Sequence, residues 1–298
     1  MSERTPPRPS GRLPDWLKVK MGKARLSEST RRLVQDARLH TVCQSAKCPN
    51  LGECFGAGTA TFLLMGDCCT RNCGFCAVTS GRPEALDEDE PRRVAETVAE
   101  MALDYAVLTS VTRDDVPDGG ASHFAATILA IKSARAAAQV EVLVPDFGGD
   151  EGAVRTVLEA DPDVFNHNLE TVRRLQAHVR PQAGYETSLS VLRAARRIAP
   201  GIPTKSGLMV GLGETDDEVA EALRDLADAG VAIVTIGQYL QPSPTRLPVA
   251  RFVHPDLFTR YGQVGESVGL KHVIAGPFVR SSYHAEEAAR TLRARTAP

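Results

Sequence analysis

Thr61-Phe-Leu-Leu-Met-Gly-Asp-Cys-Cys-Thr-Arg-Asn-Cys-Gly-Phe-Cys76 decides how the rest of this chain is read. It opens with an apolar run of strand length, Thr61–Met65, and three cysteines spaced Cys69-x3-Cys73-x2-Cys76 follow directly. A loop at the C-terminal end of a parallel strand is where α/β barrels place chemistry. Further apolar runs occur at Tyr105–Val111, Val140–Phe147, Asp163–Leu169, Thr204–Leu212 and Val231–Leu240. They are short and bounded by Gly, Pro or Asp, as buried parallel strands are. Helical spacing fills the intervals. Val94, Val98 and Met101 recur at i, i+4, i+7, as do Val219, Leu223 and Leu226 behind a capping box at Thr215-x-x-Glu218.

Six such units predict an α/β fold, a partial (β/α)6 TIM-like barrel with N-terminal and C-terminal extensions. A doubly wound open sheet has the same pattern. The expected division is an N-terminal segment 1–58, a barrel 59–250 and a C-terminal extension 251–298. In the last of these, His254–Gly269 reads as a helix, Lys271–Val279 as a strand-like run and Ala285–Ala294 as a polar helix.

The 298 residues allow one large domain or two small ones, enough to bury a core without staples. A net charge of −2 argues against general nucleic-acid binding. No run approaches the ~18 apolar residues of a membrane span, and the polar, proline-rich start has no apolar signal segment. The expected partners therefore include no nucleic acid and no membrane. Residues 1–38 hold ten Lys or Arg against four acids. That arm is either a solvated tail or a docking arm for an acidic partner, with Trp16 and Leu17 as its anchor to the body.

All seven cysteines lie between Cys43 and Cys76. Thiols crowded into one stretch of a large chain suggest soft-metal ligation in a reducing compartment, hence a cytoplasmic location. They form two groups, Cys43-x4-Cys48-x5-Cys54 and Cys69-x3-Cys73-x2-Cys76. Structural zinc wants four closed ligands, commonly paired as C-x2-C, and neither group has that pairing twice. Four-iron clusters take four thiolates, so three leave one iron open to substrate. A zinc knuckle borrowing a distant His is the rival for the second group, and a Cys3His site completed by His40 for the first. Phe75 would shield the second group from water, and Cys68 reads as a small buried hydrophobe.

Cys69-Thr-Arg-Asn-Cys73-Gly-Phe-Cys76 resembles the C-x3-C-x-φ-C loop of the radical S-adenosylmethionine superfamily. The likeness narrows to the lipoyl synthases. Cys43-Gln-Ser-Ala-Lys-Cys48-Pro-Asn-Leu-Gly-Glu-Cys54 resembles their auxiliary-cluster motif, and Arg280-Ser-Ser-Tyr-His-Ala285 their terminal motif. Met65-Gly-Asp, Thr112-Arg-Asp-Asp, Pro145-Asp-Phe, Asn166-His-Asn-Leu-Glu170, Leu208-Met-Val-Gly-Leu-Gly-Glu214 and Gly237-Gln-Tyr-Leu-Gln-Pro242 match as well, from about Trp16 to Ala285. The family pattern usually has an apolar residue where Cys68 stands.

The resemblance implies two four-iron, four-sulfur clusters and S-adenosylmethionine. Cys69, Cys73 and Cys76 would hold the cluster that cleaves the cofactor. Cys43, Cys48, Cys54 and Ser282 would hold the second cluster, a sulfur source consumed in turnover. Serine is a hard ligand for iron in a soft sulfide cluster, which eases departure of that iron. Without the resemblance, Ser281 and Ser282 read as an N-cap of the helix that follows. The implied reaction inserts two sulfurs at C6 and C8 of an octanoyl chain on a lysine of a carrier protein. The implied partners are octanoylated lipoyl-carrier domains (acyltransferase subunits of dehydrogenase complexes, the glycine cleavage H protein), an electron donor and an iron–sulfur carrier. Asn168 and Glu170 are expected at the cofactor's ribose or sulfonium, Arg180 at its carboxylate, and backbone groups of Asp114–Gly120, including Gly119 and Gly120, at its ammonium. Two rivals stay open: another two-cluster radical enzyme, such as a biotin-type sulfur inserter, and a non-catalytic iron–sulfur electron carrier.

Overall fold

A strand that is apolar on both faces must be covered twice, and an amphipathic helix offers one stripe to cover it. The computed structural model describes residues 13–18, 24–56, 60–283 and 285–296. The N-terminal part supplies α1 (Ala24–Asp36), β1 (His40–Thr41), α2 (Val42–Ser45) and α3 (Leu51–Gly56). Then come β2 (Thr61–Leu64), β3 (Cys68–Cys69), β4 (Thr79–Ser80), α4 (Glu90–Glu100), β5 (Tyr105–Ser110), α5 (Ala121–Ala134), β6 (Gln139–Leu143), α6 (Glu151–Glu159) and β7 (Val164–Asn166). The chain continues through α7 (Gln176–Val179), α8 (Tyr185–Ile198), β8 (Thr204–Val210), α9 (Asp216–Asp228), β9 (Ile233–Gln238), α10 (Pro255–Ser267), β10 (His272–Gly276) and α11 (Ala285–Thr296).

The six expected strands are β2, β5, β6, β7, β8 and β9, adjacent in that order and parallel throughout. The sheet takes in one strand from each flanking segment. β10 adds a seventh parallel strand on β9, and β1 pairs antiparallel with β2. The barrel thus extends beyond the expected span 59–250. β1 and β10 form the two edges, so the described strands make no closed ring. The run Val140–Phe147 is strand only as far as Leu143. Pro145 lacks an N–H, and Asp146 Oδ1 accepts the Gly148 N–H at 3.0 Å to start a single tight turn.

Helices cover the outside. Val94 and Val98 of α4, Phe124 and Ile128 of α5 and Val154 of α6 pack in one core with Leu64, Leu108 and Val142. Leu189 of α8, Leu223 and Leu226 of α9 and Phe258 of α10 do the same with Leu208, Val234 and Ile236. The capping box forms as expected, Glu218 N–H to Thr215 Oγ1 at 3.2 Å and Thr215 N–H to Glu218 Oε2 at 2.8 Å.

Charges are buried among the strands. Lys205 Nζ lies 2.8 Å from Glu141 Oε1, with side chains 0% and 1% exposed. Tyr105 Oη donates to Glu141 Oε2 at 2.7 Å and Asn166 Nδ2 to Oε1 at 3.1 Å, so this carboxylate is fully paired. Ala285 and Ala289 of α11 pack on Tyr105, Val107 and Val164. Tyr105 and Val164 begin their strands, so α11 closes the N-terminal end of the barrel and leaves the C-terminal end for chemistry. Leu17 is buried and Trp16 sets its ring against His254 at 5.0 Å, the anchor expected of the basic arm. The arm's first twelve residues lie outside the described residues.

Candidate active site: two cysteine groups at the strand ends

The second cysteine group begins where β2 stops. Met65 turns the chain with a left-handed φ of +66°. Its N–H donates to Glu90 Oε2 at 2.8 Å, and His123 Nε2 lies 2.6 Å from the same oxygen. β3 then pairs in parallel with β4, which fixes both ends of the cysteine loop. Cys69 Sγ accepts the backbone N–H groups of Thr112 and Arg71 at 3.3 and 3.4 Å. Gly74 donates its N–H to Val179 O and accepts the Leu247 N–H, each at 2.9 Å. The Arg246 guanidinium reaches Cys73 O at 3.4 Å.

Arg71 is the main staple of this loop. It is 8% exposed and binds Asp114 through Nε and Nη2 at 2.8 and 2.7 Å, and Asp146 through Nη1 at 2.8 Å. Burial opposes ionisation of Asp146, yet Arg71 holds its carboxyl below the usual range. Three sequence motifs, the cysteine loop, Thr112-Arg-Asp-Asp and Pro145-Asp-Phe, are therefore one ion-pair network at the ends of β2, β5 and β6.

Cys69, Cys73 and Cys76 are all half-buried and in mutual electrostatic contact. Burial pushes the Cys73 thiol up, opposed by Arg180, and the Cys76 thiol up to about 11. Cys43, Cys48 and Cys54, on and between α2 and α3, are likewise within electrostatic reach of one another. Burial raises the Cys43 thiol and, helped by its neighbours, the Cys54 thiol to about 12. Thiols so placed ionise only when a cation replaces their protons, which suits both groups to iron. Among the described residues no three Cys, His, Asp or Glu donors converge on one point as a mononuclear metal requires. A four-iron cube carries each thiolate on a separate iron and needs no such convergence. Cys68 is half-buried rather than buried, with its Sγ held close to Gly81.

The terminal motif reaches the first group. Asn50 Nδ2 donates to Phe278 O at 2.8 Å, and Tyr283 Oη donates to Glu53 Oε1 at 3.0 Å. Arg280 is in electrostatic contact with Cys48, and Tyr283 with Cys54. Ser282, expected as a ligand, is half-buried between them. Its neighbour Ser281 donates to Asn168 Oδ1 at 2.9 Å.

The expected cofactor residues divide. Asn168 Nδ2 donates to Glu170 Oε1 at 3.0 Å. The Glu170 backbone is laced to β8, through N–H to Gly207 O and through its carbonyl to Met209 N–H, both at 2.9 Å. Burial raises the Glu170 carboxyl against the pull of Arg180, and Glu170 lies within electrostatic reach of Cys73 and Cys76. Arg180 is buried with Nη1 on Asn168 O and Leu169 O at 3.1 and 3.4 Å. Gly119 and Gly120 pack on Phe147 and Met65. Their N–H groups bond Val116 O and Asp118 Oδ1, each at 2.9 Å, and an ammonium, a donor, would look to carbonyls. An open cavity of about 510 Å³, lined by Lys47, Asn72, Ala77, Thr79, Ser243 and Arg246 among others, touches the segments of both cysteine groups.

Sequence reasoning missed Arg71, Asn50, Ser281 and Tyr283. Arg71 and Asn50 lie inside quoted motifs, and a charged or amide side chain beside a cysteine was the available signal.

Residues 63–226 match the Radical SAM superfamily. The chain is 56% identical over 278 residues to "Lipoyl synthase" of Caldanaerobacter subterraneus subsp. tengcongensis, covering 92% of this chain and 96% of that one. It is 56% identical to "Lipoyl synthase" of Thermus thermophilus, covering 92% of this chain and 85% of the other. The chain belongs to the lipoyl synthase family of radical SAM enzymes. Among solved structures, methylornithine synthase (PylB) is similar with a TM-score of 0.53 at 13% identity, covering 90% of this chain and 88% of that one. Streptococcus suis SuiB bound to S-adenosylmethionine gives 0.57 at 9% identity, covering 84% and 55%. Both likenesses concern the fold alone. Membership of the lipoyl synthase family makes this chain an enzyme, a radical SAM sulfurtransferase using S-adenosylmethionine and a four-iron cluster. Among the described residues no helix is long and apolar enough to cross a membrane.

Proposed function

We propose that the protein inserts sulfur at C6 and C8 of an octanoyl chain carried on a lysine of a lipoyl-carrier domain. Cys69, Cys73 and Cys76 hold the cofactor-cleaving cluster. Cys43, Cys48, Cys54 and Ser282 hold a second cluster that donates sulfur. One observation carries this reading: the terminal loop Phe278–Tyr283 is fastened to the Cys48–Cys54 segment through Asn50 and Glu53, which supports Ser282 as a ligand of the first cysteine group.

The clusters with S-adenosylmethionine supply hydrogen-atom abstraction and sulfur, which no side-chain base can deliver at an unactivated C–H bond. The protein's own residues position and shield. Asn168 and Glu170 offer a carboxamide and a carboxylate to the cofactor's ribose hydroxyls or sulfonium. Arg180 keeps this wall rigid by binding the Asn168 and Leu169 carbonyls. Phe75, half-buried beside Cys76, limits water. The carriers are those of dehydrogenase complexes and the glycine cleavage H protein, served with an electron donor and an iron–sulfur carrier in a reducing cytoplasm.

The test is anaerobic turnover of an octanoyl-lysyl peptide with dithionite and S-adenosylmethionine after reconstitution. About eight irons per chain, two added sulfurs by mass spectrometry and 5′-deoxyadenosine are expected. About four irons, or cofactor cleavage without sulfur gain, would overturn the reading. Ser282→Cys should slow sulfur insertion while leaving cofactor cleavage intact. Unchanged insertion would remove the weak-ligand role of Ser282.

A further inference from the structure

The two cysteine groups lie on separate segments, yet one line of side-chain hydrogen bonds runs between their surroundings. Ser281 Oγ donates to Asn168 Oδ1 at 2.9 Å, and Asn168 Nδ2 donates to Glu170 Oε1 at 3.0 Å. The Glu170 carboxylate lies within electrostatic reach of Cys73 and Cys76. At the other end Ser281 stands in sequence between Arg280, within electrostatic reach of Cys48, and Tyr283, within electrostatic reach of Cys54 and hydrogen-bonded to Glu53. A single carboxamide thus accepts from one centre's loop and donates to the other centre's wall. The Glu170 carboxylate sets its flip state, because only the NH2 can meet a carboxylate, and the Ser281 hydroxyl then donates to Oδ1.

The space around this contact is kept clear. A Cβ added at Gly207 of β8 would stand 2.7 Å from Asn168 Oδ1 and 2.9 Å from Ser281 Oγ. Glycine at this position lets Ser281 and Asn168 meet over the strand.

We propose that Ser281 and Asn168 are positioning residues that couple cofactor binding at the Glu170 wall to the placement of the terminal serine loop. The proposal rests on the reading above and goes beyond it. A cofactor oxygen that accepts from the Asn168 NH2 polarises the carboxamide and strengthens the bond that Oδ1 accepts from Ser281. Ser282 is the next residue, so the loop that bears it is held firmest when the cofactor is in place. Linkage makes the effect reciprocal: losing the Ser281 hydroxyl weakens cofactor binding, although Ser281 belongs to the other centre's loop.

The test uses the reconstituted full chain and S-adenosylmethionine. Equilibrium dialysis gives the cofactor Kd, and amide hydrogen exchange follows residues 278–283 with and without cofactor. Ser281→Val removes the hydroxyl, Ser281→Thr keeps it in the same shape, and Gly207→Ala wedges the contact while leaving both partner residues unchanged in sequence. In wild type and Ser281→Thr, cofactor should slow exchange in 278–283. Ser281→Val and Gly207→Ala should lose that slowing and bind cofactor about five-fold more weakly. Wild-type affinity and wild-type protection in Ser281→Val would overturn the coupling, as would Ser281→Thr being as impaired as Ser281→Val. Failure of the wild-type chain to bind cofactor would instead overturn the functional reading beneath it.

Discussion

The two cysteine groups are built to different standards. The Cys69–Cys76 loop hangs from the ends of central strands and is stapled by charge. Arg71 spans Asp114 and Asp146, and Gly74 is bonded on both sides. The Cys43–Cys54 segment rides on two short helices beside an edge strand. Neutral amides and a phenol fasten it to the chain's other extremity. One centre is part of the frame and the other is clipped onto it. On the proposed reading, a cluster used at every turnover would sit in the frame and one that is dismantled and replaced would sit in the clip.

The largest effect should come from breaking the frame. Arg71→Ala leaves Asp146, whose side chain is 2% exposed, without its cation. Stripping one partner from a buried pair costs about 3–5 kcal/mol, so chemical denaturation should show a loss of that size. Iron should fall at the second group before the first, read by selective loss of the signal that responds to S-adenosylmethionine. An equal loss at both groups would blur the contrast.

Acid should act on the same frame. His167 is buried, its Nδ1 lies 2.9 Å from Val144 O, and its Nε2 has no partner. Burial, with Arg180, lowers its pKa to about 4 from 6.5. The unfolded chain protonates near 6.5 while the folded chain resists, so stability falls as pH drops from 6.5 towards 4. The accumulated loss is on the order of 3 kcal/mol. His167→Gln should flatten that slope, measured as denaturation midpoints between pH 7 and pH 5. An unchanged slope would mean that another group carries it.

The clip should fail more gently. A Cβ at Gly237 would meet Val279 O at 2.1 Å, a backbone atom that must move. Gly237→Ala should destabilise by about 1–3 kcal/mol and release iron from the first group only. Tyr283→Phe, which loses the bond to Glu53, should cost about 1 kcal/mol and quicken iron loss to a chelator at that group. If Tyr283→Phe lost second-group iron as fast, the two regions would not be independent.

Much of this was legible in the sequence, because periodicity and cysteine spacing are local signals. Six strands and the helices between them follow from short apolar runs and i, i+4, i+7 stripes. β1 did not, since two residues carry no period. The Glu141–Lys205 pair hid inside runs read as apolar, for a pattern cannot say that two charges on different strands will meet. Arg71 and its aspartates lie 43 and 75 residues apart, and only folding makes them one network. The two terminal serines were told apart by resemblance. The geometry adds that Ser281 has its own bond, to an asparagine 113 residues away.

The sheet stops at β1 on one side and β10 on the other, with no ladder joining them. The contact from Asn50, downstream of β1, to Phe278, downstream of β10, crosses that gap. The wall of the barrel is therefore fastened there like a coat with a button. Because the described strands leave the ring open at this seam, an acyl tail tethered to a bulky protein would be laid in from the side rather than threaded through a ring.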